Sequence, residues 1–130
     1  MAYYREQEIE ASFEEAVEQV REALSEEGFS VPAEVDVTGA FQDALEKEFR
    51  PYLILLAGDP EMAYEAMTQD PNVGAVLPAN IAVYGAEDGE GTVVAVMEPG
   101  LLQQTGNPLL ERMGEVMEEV FGRLFERIAA

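Results

Sequence analysis

The segment Tyr52-Leu-Ile-Leu-Leu-Ala57, followed at once by Gly58 and Asp59-Pro60, decides the fold class of this chain. Its first six residues are apolar, and a short continuous apolar run is typical of a strand buried within a sheet. Aspartate followed by proline is a helix start signal, because the carboxylate caps free backbone N–H groups and proline is tolerated at the first helical position. The segment therefore predicts a central buried strand that passes directly into a helix.

The C-terminal half predicts a hairpin and a long helix. The helix that follows the central strand is expected to end at Asp70-Pro71. Two β-type runs, 80–86 and 92–97, flank a polar turn that contains glycine, which is a good hairpin signal. Asn107 stands before a proline and predicts the start of a last helix, which runs to about Arg127.

The N-terminal part predicts a strand and then an amphipathic helix. Residues 3–9 alternate loosely between polar and apolar types, as a half-buried strand does. Ser12 and Glu15 form a capping-box pattern, in which each side chain caps a free backbone N–H group. Gly28 is expected to end this helix, because glycine adopts the left-handed conformation at helix C-termini.

The stretch between this helix and the central strand completes the order of elements. A strand over 29–37 contains Pro32, which indicates an edge position or a bulge. Thr38 is expected to cap a short helix that ends before Arg50-Pro51. The order β-α-β-α-β-α-β-β-α predicts one α+β domain over residues 1–130, in two layers, with the helices packed on one face of a mostly antiparallel sheet.

Composition excludes several classes of function. The chain has 27 acidic and 7 basic residues, a formal charge of −20, and no histidine or cysteine. Catalysis by Ser-His-Asp or Cys-His, zinc sites built from thiolate or imidazole, and disulfides are therefore excluded. A strongly negative field repels phosphate groups, so we expect neither nucleic acid nor an anionic membrane as a partner.

We expect no metal and no cofactor. The chain lacks the D-x-[DN]-x-[DN]-G pattern of a calcium loop, and the acidic turn Glu87-Asp88-Gly89-Glu90 is too short to serve as one.

The first ten residues lack the basic and then apolar pattern of a signal peptide. The longest apolar run has seven residues, whereas a membrane span needs about 20. We therefore expect a cytoplasmic protein.

An ordered set of short motifs resembles the DUF302 family over nearly the whole chain. The set comprises Phe13-Glu-Glu-Ala-Val17, Gly28-Phe29, Val35-Asp36-Val37, Arg50-Pro51-Tyr52, Asp59-Pro60, Leu77-Pro78 with Asn80, and Val83-Tyr84. The resemblance implies a small, single-domain α+β protein with no established activity. The family pattern commonly carries cysteine at two positions that are occupied here by Gly58 and Ala79. If relatives use those thiols for redox or metal chemistry, the resemblance implies a scaffold that has lost this chemistry.

Six residues are candidates for a ligand site: Arg50, Tyr52, Gly58, Asp59, Ala79 and Asn80. Backbone N–H groups at Gly58 and Asp59 could hold an anion, although the Asp59 carboxylate is more simply the cap of its own helix. Arg50 could bind a ligand carboxylate or pair with a neighbouring acid.

The other candidates have equally simple structural roles. Tyr52, like Tyr84, could contact a ligand or pack in the core with its hydroxyl tethered. Asn80 could bind a ligand through its amide or order its own turn. Ala79 lies next to Asn80, and we expect an apolar pocket near these two residues and Gly58.

Two classes of function fit these features. The favoured one is a non-catalytic homodimeric binding or interaction module, whose apolar pocket takes a small molecule or a partner segment. The alternative is an enzyme that works with carboxylates, Arg50 and tyrosines. General acid–base catalysis needs a group with a pKa near neutrality, so a buried acid with a raised pKa in the largest cavity would favour the enzyme.

The last helix is the basis for expecting a homodimer. One apolar stripe comprises Leu109, Met113, Val116, Val120 and Leu124, and a second beside it comprises Leu110, Met117, Phe121, Phe125 and Ile128. Two adjoining stripes are wider than one core usually needs. We therefore expect part of this helix to contact a second copy of the chain, the alternative being a helix sunk deeply in its own domain.

The acidic residues also suggest a salt-rich environment. Glutamates recur at four-residue spacing, at Glu14, Glu18, Glu22 and Glu26 and again at Glu111, Glu115 and Glu119. Like charges at this spacing destabilise a helix by about 0.2–0.5 kcal/mol per pair, and salt screens them. Lys47 is the only lysine, so a heat-adapted network of ion pairs is the poorer explanation. Salt adaptation is therefore our hypothesis over a merely acidic mesophile protein, although only five of the acids are aspartate.

Overall fold

The computed structural model describes residues 2–129 and confirms the α+β class. The strands are β1 (Tyr4–Ile9), β2 (Ser30–Asp36), β3 (Tyr52–Gly58), β4 (Ala79–Gly85) and β5 (Thr92–Met97), and the helices are α1 (Phe13–Glu26), α2 (Val37–Leu45), α3 (Pro60–Gln69) and α4 (Pro108–Ile128). Two short 3₁₀ helices, Pro71–Ala75 and Pro99–Gln104, are additional to the predicted elements.

The five strands form one antiparallel sheet in the order β1-β5-β4-β3-β2. The middle strand is therefore β4, and the predicted central strand, β3, lies between β4 and the edge strand β2. The prediction for Pro32 is confirmed, because β2 is an edge strand and its register with β3 shifts between Ser30 and Ala33. Pro32 lacks a backbone N–H group, and an edge or a bulge is where a sheet tolerates this loss.

One face of the sheet carries the core. Alternate residues of the three inner strands, including Leu55, Ile81 and Val94, are fully buried. Helix α1 packs on β4 and β5, and the buried residues of α4 belong to the same core. We call this face of the sheet the helix face. The expected two-layer arrangement is therefore confirmed, with α1 and α4 on one side of the sheet.

In the described part of the chain no helix layer covers the opposite face of the sheet, which we call the open face. Successive side chains of a strand point to opposite faces, and the register assigns fourteen positions to the open face: Tyr4, Glu6 and Glu8 on β1, Val93, Ala95 and Met97 on β5, Asn80, Ala82 and Tyr84 on β4, Tyr52, Ile54 and Leu56 on β3, and Ala33 and Val35 on β2. The sequence predicted β3 as a buried strand because both of its faces are apolar. The structure covers only one of them.

Helix α2 begins two residues earlier than predicted. Its cap is Asp36, whose carboxylate accepts a hydrogen bond from the Gly39 N–H at 3.0 Å, and not Thr38. The Thr38 hydroxyl instead donates to the Arg50 carbonyl at 2.7 Å and accepts from the Tyr52 N–H at 2.9 Å. Thr38 therefore ties the start of α2 to the start of β3.

Both apolar stripes of α4 pack within the domain. The buried residues of this helix come from both stripes and include Met113, Met117, Phe121 and Leu124, while Phe125 and its partly buried neighbours pack against the same core. The helix contacts α1, α3 and the second 3₁₀ helix. Together these elements cover the part of the two apolar stripes that packing on the sheet alone would leave exposed. The width of the stripes therefore no longer argues for a second subunit on α4. The homodimer itself stays a prediction.

Within residues 2–129, no helix combines the length and the apolar character needed to cross a bilayer.

Candidate functional site

An apolar pocket of about 220 Å³ lies where β3 passes into α3. Its walls come from β2, the end of β3, α3, the chain before β4 and α4: Ser30, Pro32, Ala57, Gly58, Asp59, Pro60, Ala63, Met67, Leu77, Pro78, Met113 and Met117. We call it the apolar pocket. Two of the six candidate residues, Gly58 and Asp59, line it.

The Asp59 side chain is already used by its own helix. One carboxylate oxygen, Oδ1, accepts hydrogen bonds from the backbone N–H groups of Glu61 at 2.9 Å and Met62 at 3.3 Å. These are the contacts of a helix N-cap, the simpler of the two roles considered for this residue. The carboxylate stands where an incoming anion would have to sit, so this helix start is unsuited to a phosphate or a carboxylate ligand.

Gly58 and Ala79, the two positions where the family pattern carries cysteine, point away from each other. Ala79 pairs with Ala57, and both side chains are fully buried on the helix face. Position 58 follows Ala57, so alternation directs its Cβ to the other side of the sheet. A Cβ atom built there would meet the Pro78 Cβ at 3.9 Å. The structure therefore gives no direct disulfide geometry between positions 58 and 79.

Arg50 lies at the other end of β3, near the turn of the hairpin. Its guanidinium donates to the Gly85 carbonyl at 3.3 Å and lies 3.7 Å from a carboxylate oxygen of Glu87. The same group stands over the rings of Phe49 and Tyr84, at 5.9 and 5.8 Å from their centres. An ion pair with a neighbouring acid was the simpler role considered for Arg50, and these contacts match it.

Tyr52 and Asn80 lie on the open face, away from the apolar pocket. The rings of Tyr52 and Tyr84 stack with their centres 5.1 Å apart. The Tyr84 hydroxyl donates to Glu6 at 3.4 Å, and burial of the phenol, followed by the nearby Glu6 carboxylate, raises the pKa of Tyr84. Asn80 is exposed. The six candidates therefore separate into four places: the apolar pocket, the buried helix face, the open face and, for Arg50, the hairpin end of β3. They do not form one site.

Three methionines line the apolar pocket and were not among the candidates. Met67 comes from α3, and Met113 and Met117 come from α4. The sequence shows all three as parts of apolar helix faces, and nothing in the pattern of one helix indicates that it will meet another there. Their thioether side chains are flexible and polarizable, so they can adapt to the shape of a ligand.

The largest cavity lies beside the hairpin turn and has a volume of about 1160 Å³. Six acidic residues line it, and all of them are exposed: Glu8, Glu10, Glu15, Glu87, Asp88 and Glu90. The structure of residues 2–129 shows no group of side chains arranged to hold a metal ion.

Two carboxyl groups with displaced pKa values lie outside both cavities. Hydrogen bonding to Arg5 lowers the pKa of Glu98, and hydrogen bonding to Arg123 lowers the pKa of Glu27. Lowered values keep these groups ionised, which suits an ion pair rather than a general acid.

The fold and the pocket define a small α+β domain with one helix-covered sheet face and an apolar cavity at one end. The family model described as "Domain of unknown function DUF302" matches residues 5–130, so the chain belongs to the DUF302 family. The predicted resemblance is confirmed, and the family carries no assigned activity.

One solved structure is similar over almost its entire length. It is the crystal structure of an uncharacterized conserved DUF302 protein from Bacillus stearothermophilus, with a TM-score of 0.84 and 22% identity, covering 98% of this chain and 99% of that chain. At this level of identity the likeness shows the fold alone. No curated protein matches the chain significantly.

Proposed function

We propose that this protein is a non-catalytic homodimeric binding module that takes a small uncharged molecule into the apolar pocket. The observation that carries the proposal is the lining of that pocket, which is formed almost wholly by methionine, proline, alanine and leucine side chains. Ligand sites of proteins are usually concave and mostly apolar. The one acidic side chain in the wall, Asp59, already accepts the capping hydrogen bonds of its own helix.

The volume of the pocket restricts the size of the ligand. Sites for drug-sized molecules measure about 300–1,000 Å³, and a dry apolar cavity of about 150 Å³ is large enough for benzene. A pocket of about 220 Å³ therefore fits a molecule of one ring or a short branched chain. Movement of the Met67 side chain, which is exposed at the rim, would extend this range.

The enzyme alternative has less support. It would gain from a buried acid with a raised pKa in the largest cavity, but the acids that line this cavity are exposed. A chain without histidine would then have to use exposed carboxylates as its acid and base. Binding requires none of these groups.

The homodimer is the second part of the proposal. Several large apolar side chains remain exposed in the single chain, among them Tyr3 at 72%, Leu45 at 58% and Phe49 at 42%. Exposed apolar surface that is gathered in one region is typical of a protein contact.

Benzene is the probe for the apolar pocket. In a spectrum of the protein labelled at its methionine methyl groups, we expect benzene to shift the signals of Met67, Met113 and Met117. Met97 lies on the open face and is an internal reference, whose signal should stay in place. The proposal would be overturned if the Met97 signal shifted as much as those of the three pocket methionines. It would also be overturned if no signal shifted up to the solubility limit of benzene.

A variant that fills the pocket provides the matched test. Ala63 lines the pocket, so Ala63→Phe should weaken benzene binding at least tenfold. Ala129→Phe adds the same ring at the exposed end of α4 and should bind as the wild type does. Undiminished binding by Ala63→Phe, with the fold intact by circular dichroism, would place benzene elsewhere.

A further inference from the structure

The geometry points to the open face, together with α2, as the surface on which the second copy of this chain docks. This inference rests on the proposed homodimer and identifies its interface. Among residues 2–129 ten large apolar side chains remain exposed, and six of them lie on the open face or beside it: Tyr3, Tyr4, Val35, Phe41, Phe49 and Val76.

The centre of the open face carries no charge. The nine positions that strands β5, β4 and β3 contribute hold aliphatic residues, two tyrosines and one asparagine. In the whole chain 26% of the residues are charged. A face exposed to water in a protein of this composition would be expected to carry acids, as α1 and α4 do on their outer sides. The absence of charge from these nine positions is the pattern of a covered surface.

Helix α2 receives little packing within the single chain. It has nine residues, and none of them is buried. A helix this short is marginal in water without packing. Its apolar side chains include Phe41, at 38% exposure, and Leu45. A second subunit lying against α2 would provide the packing.

A chain of aromatic rings joins α2 to the open face. The ring of Phe41 lies 5.2 Å from that of Phe49, which lies 5.9 Å from that of Tyr52. Tyr52 in turn stacks on Tyr84 in the next strand. The apolar side of α2 and the sheet are therefore one continuous surface.

The area of this surface suits a stable dimer. Five strands about 4.8 Å apart, with about six residues each at about 3.4 Å per residue, give a flat area of about 500 Å². The relief of the side chains and the adjoining side of α2 increase it. Stable interfaces bury about 800 Å² on each partner, which is the size this surface approaches.

The other surfaces of the sheet and of α4 are less suited to a second copy. The edge strand β2 contains Pro32 and a register shift, and the edge strand β1 carries Arg5, Glu6 and Glu8. Prolines, irregularities and charges on edge strands oppose pairing between sheets. The outer side of α4 is exposed and charged, and it includes Gly122, beside which a new Cβ would meet no atom within 4 Å.

Two arginine substitutions separate the possible interfaces. Ala82→Arg places a charge at the centre of the open face, and Gly122→Arg places the same charge on the outer side of α4. Each protein is examined by sedimentation at micromolar concentration in 0.1 M and 2 M KCl, because salt screens the repulsion between two subunits of −20 each. Circular dichroism checks the fold.

We expect the wild type and Gly122→Arg to be dimers in 2 M KCl. Ala82→Arg should be a folded monomer, with the dissociation constant raised at least 100-fold. Val35→Arg, at a position already 44% exposed on the edge strand, is the second variant in case Ala82→Arg does not fold, and it should weaken the dimer in the same direction.

The remaining outcomes overturn the inference in distinguishable ways. A wild-type monomer at both salt concentrations would remove the homodimer and this interface together. Dimers that persist in Ala82→Arg and Val35→Arg would keep the homodimer and remove the open face as its interface. Dissociation by Gly122→Arg alone would assign the contact to α4.

Discussion

At the two positions where the family pattern carries cysteine, Gly58 and Ala79, the side-chain directions differ. Ala79 is buried on the helix face beside Ala57, while a side chain at position 58 would approach Pro78. A disulfide needs Cβ atoms about 3.8 Å apart whose bonds point toward each other. The geometry therefore argues against a lost disulfide as the origin of this pair.

A double cysteine variant tests whether positions 58 and 79 can form a disulfide. Gly58→Cys/Ala79→Cys should keep two free thiols in the folded protein after treatment with a mild oxidant, as counted with a thiol reagent. Gly58→Cys/Pro78→Cys is the positive control, because the Cβ at position 58 would lie 3.9 Å from that of residue 78. Rapid loss of both thiols in the first variant would contradict the prediction.

A second prediction about single residues concerns the ion pair between Arg5 and Glu98 and its contribution to stability. Arg5 donates from Nε to Oε2 at 2.7 Å and from Nη2 to Oε1 at 2.8 Å, which lowers the pKa of Glu98 from its usual 4.5. A carboxyl group with a lowered pKa stabilises the fold above its unfolded-state pKa, and this contribution is lost as the pH falls through the folded-state value.

We therefore expect Glu98→Gln to reduce the free energy of unfolding at pH 7 by about 1–2 kcal/mol. Because the wild type loses the same contribution in acid, the difference between the two proteins should shrink below about pH 4.5. Urea denaturation of both proteins at pH 7 and pH 3.5 measures this difference in the free energy of unfolding. Glu65→Gln, at an exposed position on α3, is the control, and a difference that is constant with pH would contradict the explanation.

Among the elements, α2 depends on tertiary contacts more than on its own sequence. The Thr38 hydroxyl bridges the Arg50 carbonyl and the Tyr52 N–H, and so fastens the helix to β3. The sequence indicated Thr38 as a cap because threonine is a common capping residue. Its actual partners lie twelve and fourteen residues away, and a local pattern cannot indicate them.

Replacing Thr38 by valine keeps the shape of the side chain and removes both hydrogen bonds. We expect Thr38→Val to lower the free energy of unfolding by about 1–3 kcal/mol, since two backbone groups lose their partner. Thr68→Val is the matched control, because the Thr68 hydroxyl only bonds back to the Tyr64 carbonyl on exposed α3. The control should change stability by less than about 0.5 kcal/mol. Equal losses in urea denaturation would contradict the role assigned to Thr38.

For the whole molecule, charge is the dominant feature. The C-terminal end of α1 and that of α4 are joined by ion pairs, Glu26 with Arg127 and Glu27 with Arg123. Exposed pairs of this kind contribute little stability. These ion pairs do not involve Glu14, Glu18 and Glu22, which lie exposed in a row on α1. The repulsion between neighbouring glutamates therefore remains on α1 and likewise on α4.

We therefore expect stability to rise with salt. Five like-charge pairs at four-residue spacing on α1 and α4 cost about 1–2.5 kcal/mol together, which corresponds to roughly 5–10 °C in melting temperature for a domain of this size. Thermal melts in 0.1 M and 2 M KCl measure the change. A flat response would end the hypothesis of adaptation to a salt-rich cytoplasm.

A neutral variant separates charge screening from the general effects of salt. Glu18→Gln/Glu22→Gln removes the middle of the stripe on α1, and both positions are exposed. This variant should melt higher than the wild type in 0.1 M KCl and gain less from 2 M KCl, because there is less repulsion left to screen. An identical salt response in the two proteins would show that the repulsion is not its cause.

By itself the sequence determined the elements, their order and the family. Helix caps, proline and glycine signals, and periodicity act within a few residues, so Ser12, Gly28, Asp59 and Asn107 stand at the helix ends where they were expected. Pro32 indicated the edge strand for the same reason, since the loss of one backbone donor is a local property.

Only the tertiary structure decided which face of the sheet is covered and which residues meet. Strand β3 is apolar on both faces, so its pattern could not indicate that α1 and α4 would lie on one of them and leave the other open. The two stripes of α4 were equally ambiguous until α1, α3 and the second 3₁₀ helix were placed around them. The candidate residues separated into different places for the same reason: alternation gives each strand residue a face, but the partners on that face come from distant parts of the chain.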